Sequence, residues 1–189
     1  MKQLVITSGM VLKIALLVML ILLLWRWLEF QHRKDRELFK AQIFTGLTVF
    51  YICIIFSFTL LPITYPAMNP SQFELNLNVL ELLDAFSNRY VLISYAENVL
   101  LFMPLTILAY CSSFKVFQKL KWGALLSFAI SFSVEALQGV EAIAKVLEDA
   151  MPVCDINDLI CNTIGGVIGF FVICFYKREH PNATDHATD

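Results

Sequence analysis

The chain is 189 residues long, 58% hydrophobic and only 16% charged, with a formal net charge of −2. That charge content is well below the roughly 25% of a soluble domain, and a mean hydropathy of +0.69 excludes an ordinary water-soluble globule. The charges sit in short blocks between apolar runs, without the basic patch that a nucleic-acid partner would require.

Five apolar runs approach the ~20 residues needed to cross the hydrocarbon core. The first covers residues 4–28. Its stretch from Val11 to Leu28 is too long for a signal-peptide core and has no small-residue cleavage site, so it reads as a retained helix. The second, residues 42–61, is closed by Pro62 and Pro66. A longer loop follows over 63–90. Within it, the alternation Phe73-Glu74-Leu75-Asn76-Leu77-Asn78 suits a short strand or an interfacial segment. The third run, 94–113, contains Pro104, a residue that favours a kink. The fourth and fifth cover 122–140 and 156–176. Trp25, Trp27, Trp122 and Tyr176 fall near span ends, where amphipathic rings anchor at the interface. There is no internal repeat, and the polar tail reads as disordered. The expected architecture is an all-α, polytopic helical bundle. Residues 1–40 supply a first transmembrane helix and a basic loop, 41–179 a membrane domain, and 180–189 the tail.

Orientation follows from the basic residues. Arg33, Lys34, Arg36 and Lys40 follow the first span, Lys115, Lys119 and Lys121 the third, and Lys177-Arg178 the fifth. The loop after the second span has only Arg89. The loop after the fourth has Lys145 against Glu141, Glu148 and Asp149. These signals alternate and predict an N-terminus outside and a C-terminus inside.

With that orientation, the polar residues of three spans share one depth near the outer face. The third span contributes Glu97 and Asn98, the fourth Glu135 and Gln138, and the fifth Asp155, Asp158 and Asn162. Steps of three and four place residues 155, 158, 162, 165 and 169 on one helix face. Ser127 and Ser131 continue the face of Glu135 inward, so the polar stripes of spans four and five are expected to face each other. Gly165, Gly166 and Gly169 fit the small-residue pattern of close helix contacts in membranes. Asn98, Gln138 and Asn162 suit interhelical hydrogen bonds, and Asp155 suits an N-cap. Glu135 is the hardest to place structurally. It lies about one turn inside its span, where a carboxylate is costly unless compensated, and no Lys or Arg of spans three to five shares its depth.

The five cysteines, at 53, 111, 154, 161 and 174, show no Cys-x-x-Cys spacing, and neither a metal role nor a 154–161 disulfide is expected. No cofactor is expected. His32, His180 and His186 all fall on the opposite side from the polar groups, which removes a Ser-His-Asp arrangement with Ser127, Ser131 or Ser133. The carboxylates leave open a membrane-embedded hydrolase or transferase using acid/base chemistry. A small permease is disfavoured, because residues 105–111 and 167–174 are nearly all apolar.

Three segments carry a family resemblance. They are Glu97-Asn98-Val99-Leu100-Leu101-Phe102-Met103-Pro104-Leu105, Val134-Glu135-Ala136-Leu137-Gln138, and Asp155-Ile156-Asn157-Asp158-Leu159-Ile160-Cys161-Asn162-Thr163-Ile164-Gly165-Gly166. In order and spacing they resemble the VanZ-like family over roughly residues 42–176. Thr106 stands where that family's pattern has glycine. The resemblance implies a bacterial multi-pass cell-membrane protein, with low-level resistance to the glycopeptide teicoplanin as the namesake activity. The expected ligand site comprises Asn98, Glu135, Gln138, Asp155, Asp158 and Asn162 and holds no metal. Its expected partners are membrane lipid and either a lipoglycopeptide antibiotic or a lipid-linked cell-wall precursor.

Overall fold

A computed structural model describes residues 4–33, 35–65, 74–144 and 154–180. Five helices are long and apolar enough to cross a membrane: α1 (Ser8–Arg33), α2 (Arg36–Leu60), α4 (Arg89–Cys111), α5 (Leu120–Ile143) and α6 (Ile156–Glu179). At 1.5 Å per residue they reach roughly 35–39 Å, beyond the ~30 Å hydrocarbon core. A short helix, α3 (Glu81–Asp84), precedes α4. The chain is a multi-pass membrane protein.

The helices extend past the apolar runs because caps, not hydropathy, set their ends. Asp35 accepts from the Leu38 amide at 3.0 Å and starts α2 six residues before the apolar run. Asn88 accepts from the Tyr90 amide at 3.1 Å and starts α4. Likewise α5 continues to Ile143, so Glu141 is not the loop residue expected but a buried one. Helix α4 runs through Pro104. That proline has no N–H to donate to the Leu100 carbonyl. One residue on, the Leu101 carbonyl accepts from Tyr51 of α2 at 2.9 Å.

The described chain is not wholly helical. Residues 4–6, expected inside the first helix, form strand β1 (Leu4–Ile6), antiparallel to β2 (Ile63–Tyr65). The β-branched residues Val5, Ile6, Ile63 and Thr64 suit a ladder better than a helix start. Strand β3 (Leu75–Asn76) pairs in parallel with β4 (Cys154–Asp155). Both ladders lie at the end of the bundle where α1, α4 and α6 begin and α2 and α5 finish. The 180–189 tail expected from composition lies outside the described residues except for His180, as do Lys34, Lys145, Glu148 and Asp149.

Helix α6 is wedged between α4 and α5. A Cβ on Gly165 would collide with the Val99 carbonyl oxygen, and one on Gly169 with that of Met103. The offset is 66 residues in both contacts, so α4 and α6 run parallel. Gly166 faces Ser127 while Asn162 bonds Ser131; both pairs sum to 293, so α5 and α6 run antiparallel. The small residues therefore do what their pattern suggests and bring backbones together. Ile55, Phe102, Leu105 and Val134 form the core of α2, α4 and α5. Helix α1 packs chiefly on α2 and turns Leu16, Leu17, Leu20, Ile21 and Leu24 outward.

Candidate functional site

At the end of the bundle that carries the two ladders, four carboxyl groups from separate segments come together through amides. Asp155 is the N-cap of α6 and accepts from the Asn157 amide at 2.8 Å. This closes one of the orphan N–H groups of the first turn. Its carboxylate also accepts from Asn157 Nδ2 at 2.9 Å and from Asn76 Nδ2 at 3.2 Å. The same Asn76 amide donates to Glu81 Oε2 at 2.7 Å, while Asn78 Nδ2 donates to Glu81 Oε1 at 3.2 Å. Asp158 accepts from Asn98 of α4 at 2.7 Å. Glu135 of α5 accepts from the Asp155 backbone N–H at 3.0 Å. Strand pairing of β3 with β4 brings Asn76 into this reach.

Every donor in the network is an amide. Among the described residues, no Lys or Arg forms an ion pair with Glu81, Glu135, Asp155 or Asp158. The amides orient the carboxyl groups and supply no positive charge, so this end of the bundle presents hydrogen-bond acceptors. Among the described residues, no group of three or more His, Cys, Asp or Glu side chains is placed to hold a metal ion. Just before α6, Cys154 donates to the Glu135 backbone carbonyl at 3.0 Å. Burial, and then the neighbouring Glu135 carboxylate, push its thiol pKa up.

Five of the six expected site residues fall along this face of α5 and α6 or against it. Asn98 bonds Asp158, and the Asp155 backbone N–H bonds Glu135, as two pairs at the same end of the bundle. Asn162 lies a turn deeper, fully enclosed, and donates to Ser131 at 2.9 Å. The facing polar stripes of α5 and α6 are thus present. Gln138 points elsewhere: its amide donates to the Thr59 carbonyl of α2 at 3.0 Å. It holds the end of α2 against α5 and does not join the carboxylates, because residue 138 has turned past the face that Glu135 and Ser131 present to α6. Glu97 is exposed.

Four members of the network, Asn76, Asn78, Glu81 and Asn157, are not among the expected site residues. Asn157 is 0% exposed and holds both Asp155 and the Asn78 carbonyl, the latter at 3.1 Å. Its own Oδ1 has no protein partner, and neither does that of Asn162. The heptad-like face through 155, 158 and 162 leaves Asn157 aside. Burial on two sides, by α4 and by α5, adds Asn157 and Cys161 to the buried face. Asn76 and Glu81 lie in and after the segment whose alternation suggested a strand; the signal was present, but its partner, Cys154–Asp155, is 79 residues away.

No curated protein and no solved structure matches the chain. The VanZ/LLP1 family model does, over residues 44–177, from the start of α2's apolar run to the last turn of α6. That match takes in α2, α4, α5, α6 and every residue of the carboxyl–amide network, and the chain belongs to the VanZ/LLP1 family.

Proposed function

We propose that the carboxyl-rich end lies on the outer face of a bacterial cell membrane and binds the polar head of an envelope ligand. The ligand is a lipoglycopeptide antibiotic or a lipid-linked cell-wall precursor, and the outcome is protection against teicoplanin. One observation carries this reading: Glu81, Glu135, Asp155 and Asp158 converge from α3, α5 and the start of α6, held by amides and a backbone N–H with no described basic side chain to neutralise them. Such a surface suits a ligand rich in ammonium, amide and hydroxyl donors. The distribution of Lys and Arg supports the orientation, since the loops at the opposite end hold the basic blocks. Family membership supports the envelope setting.

The test uses charge removal that keeps shape: Asp158→Asn and Glu135→Gln. Each variant removes one charge-assisted acceptor, worth about 1.4 kcal/mol or roughly tenfold in ligand affinity. In a sensitive host, the unaltered chain raises resistance to teicoplanin and leaves vancomycin, which lacks a lipid tail, unchanged. Either variant, inserted at the same level, loses most of that protection. Full teicoplanin protection by both variants would refute a ligand role for this end.

A further inference from the structure

A second surface lies at the end of the bundle opposite the carboxyl network, where α4 gives way to α5. The connection, residues 112–119, joins two membrane-spanning helices, so it sits at the edge of the hydrocarbon core. Hydrogen bonds fix its backbone. The Ser113 N–H donates to Thr45 Oγ1 of α2 at 3.0 Å, and the Phe114 N–H donates to Ser112 Oγ at 3.2 Å. A 3-10 turn over Lys115–Gln118 follows, closed by the Phe117 N–H on the Phe114 carbonyl at 3.0 Å. On this frame, exposed apolar and basic side chains interleave: Phe114, Lys115 and Val116, then Lys119 through Trp122.

The lysines lack counter-charges. No acidic residue occurs between Glu97 and Glu135. Lys115 and Lys119 form neither an ion pair nor a side-chain hydrogen bond among the described residues. Lys121 Nζ lies 5.6 Å from the centre of the Trp122 ring, a contact that leaves its charge in place. Lys40, at the same end, differs, because Glu37 pairs with it at 2.8 Å. Phe114 is 56% exposed and Trp122 38%, and the interface between water and hydrocarbon is where a ring beside a span is favoured. Basic segments flanking a span attract anionic lipid. An acidic protein would meet the lysines only by displacing lipid from the rings. An anionic lipid meets both, with its phosphate on the lysines and its upper acyl carbons on the rings.

We propose that the α4–α5 connection is a docking surface for anionic phospholipid of the adjacent leaflet, with phosphates at Lys115, Lys119 and Lys121 and acyl carbons against Phe114, Val116 and Trp122. This surface is independent of the carboxyl network. Its fixed backbone presents the three cations with little further ordering, and the bound lipid sets the depth of the first turn of α5.

Native mass spectrometry of the purified full chain, titrated with phosphatidylglycerol or phosphatidylcholine, tests the assignment. Phosphatidylglycerol binds preferentially. Each of Lys115→Gln, Lys119→Gln and Lys121→Gln lowers its affinity roughly fivefold, and the triple variant binds the two lipids alike. Lys119→Arg keeps the charge and binds as the unaltered chain does. Lys40→Gln, at a lysine already paired, leaves the preference intact. In phosphatidylcholine nanodiscs, a small fraction of phosphatidylglycerol with a photoreactive headgroup marks residues 114–122. Equal binding of the two lipids by the unaltered chain, a preference that survives in the triple variant, an equal loss in Lys40→Gln, or adducts confined to other loops would overturn the proposal.

Discussion

At the scale of single residues, the sharpest constraints are steric. The nearest atoms to a Cβ on Gly165 are all Val99 backbone, with its carbonyl carbon at 2.9 Å, and backbone cannot rotate away. Gly165→Ala should therefore destabilise the protein by about 1–3 kcal/mol, the usual cost of overpacking, read as a lower Tm in detergent. Gly46→Ala is the control. Its nearest neighbour is Leu23 Cδ2 at 3.7 Å, so it should be neutral or gain up to about 1 kcal/mol from helix propensity. Gly166 is intermediate, since it meets the Ser127 side chain, including Cβ at 2.6 Å. Ser127→Gly should rescue Gly166→Ala, whereas Ser127→Ala keeps the blocking atom and should not. Thr106 illustrates what sequence pattern alone conceals. It is buried, and its hydroxyl donates to the Gly166 carbonyl at 2.7 Å, an α4–α6 hydrogen bond across 60 residues that no local spacing reveals.

At the scale of elements, capping and ligand binding can be separated at Asp155. Asp155→Ala removes the cap and should cost about 1 kcal/mol, with faster hydrogen exchange at the Asn157 amide and through the first turn of α6. Asp155→Asn keeps a good cap and should exchange like the unaltered chain. If it nevertheless loses teicoplanin protection, the charge and not the cap is what the ligand needs. Cys154, one residue earlier, gives a pH readout. A raised thiol pKa means a smaller thiolate fraction at any given pH. Its alkylation, with the other four cysteines replaced, should lag behind an exposed thiol at neutral pH and catch up only in alkali. Most of the helical fold was legible because apolar runs mark what lies in lipid. The helix ends were less so, because Asp35 and Asn88 place them in polar sequence. The two ladders were the least legible, since three-residue and two-residue strands 59 and 79 positions from their partners leave almost no periodic signal.

At the scale of the whole molecule, the alternation of basic loops and the position of the carboxyl end make one combined prediction. Leu80→Cys, exposed beside the network, should react with a membrane-impermeant maleimide on intact cells, while Lys119→Cys should react only after permeabilisation. The reverse pattern would invert the bundle and remove the network from the envelope side. The membership of the network was partly legible: Asn98, Glu135, Asp155 and Asp158 followed from depth, whereas Asn162 bonds Ser131 a turn deeper and Gln138 bonds Thr59, because depth does not fix which way a helix is rotated. The order of these residues along the chain also bears on biogenesis. Glu135 receives its N–H donor from Asp155, 20 positions later, and Asn98 waits 60 positions for Asp158. At synthesis rates of roughly 5–20 residues per second, Glu135 emerges about 1–4 s ahead of its donor. Until the last helix enters the bilayer, a carboxylate and an amide remain uncompensated near the lipid. A chain truncated before Cys154 should therefore be degraded faster than the full chain, as read by pulse-chase labelling in the host.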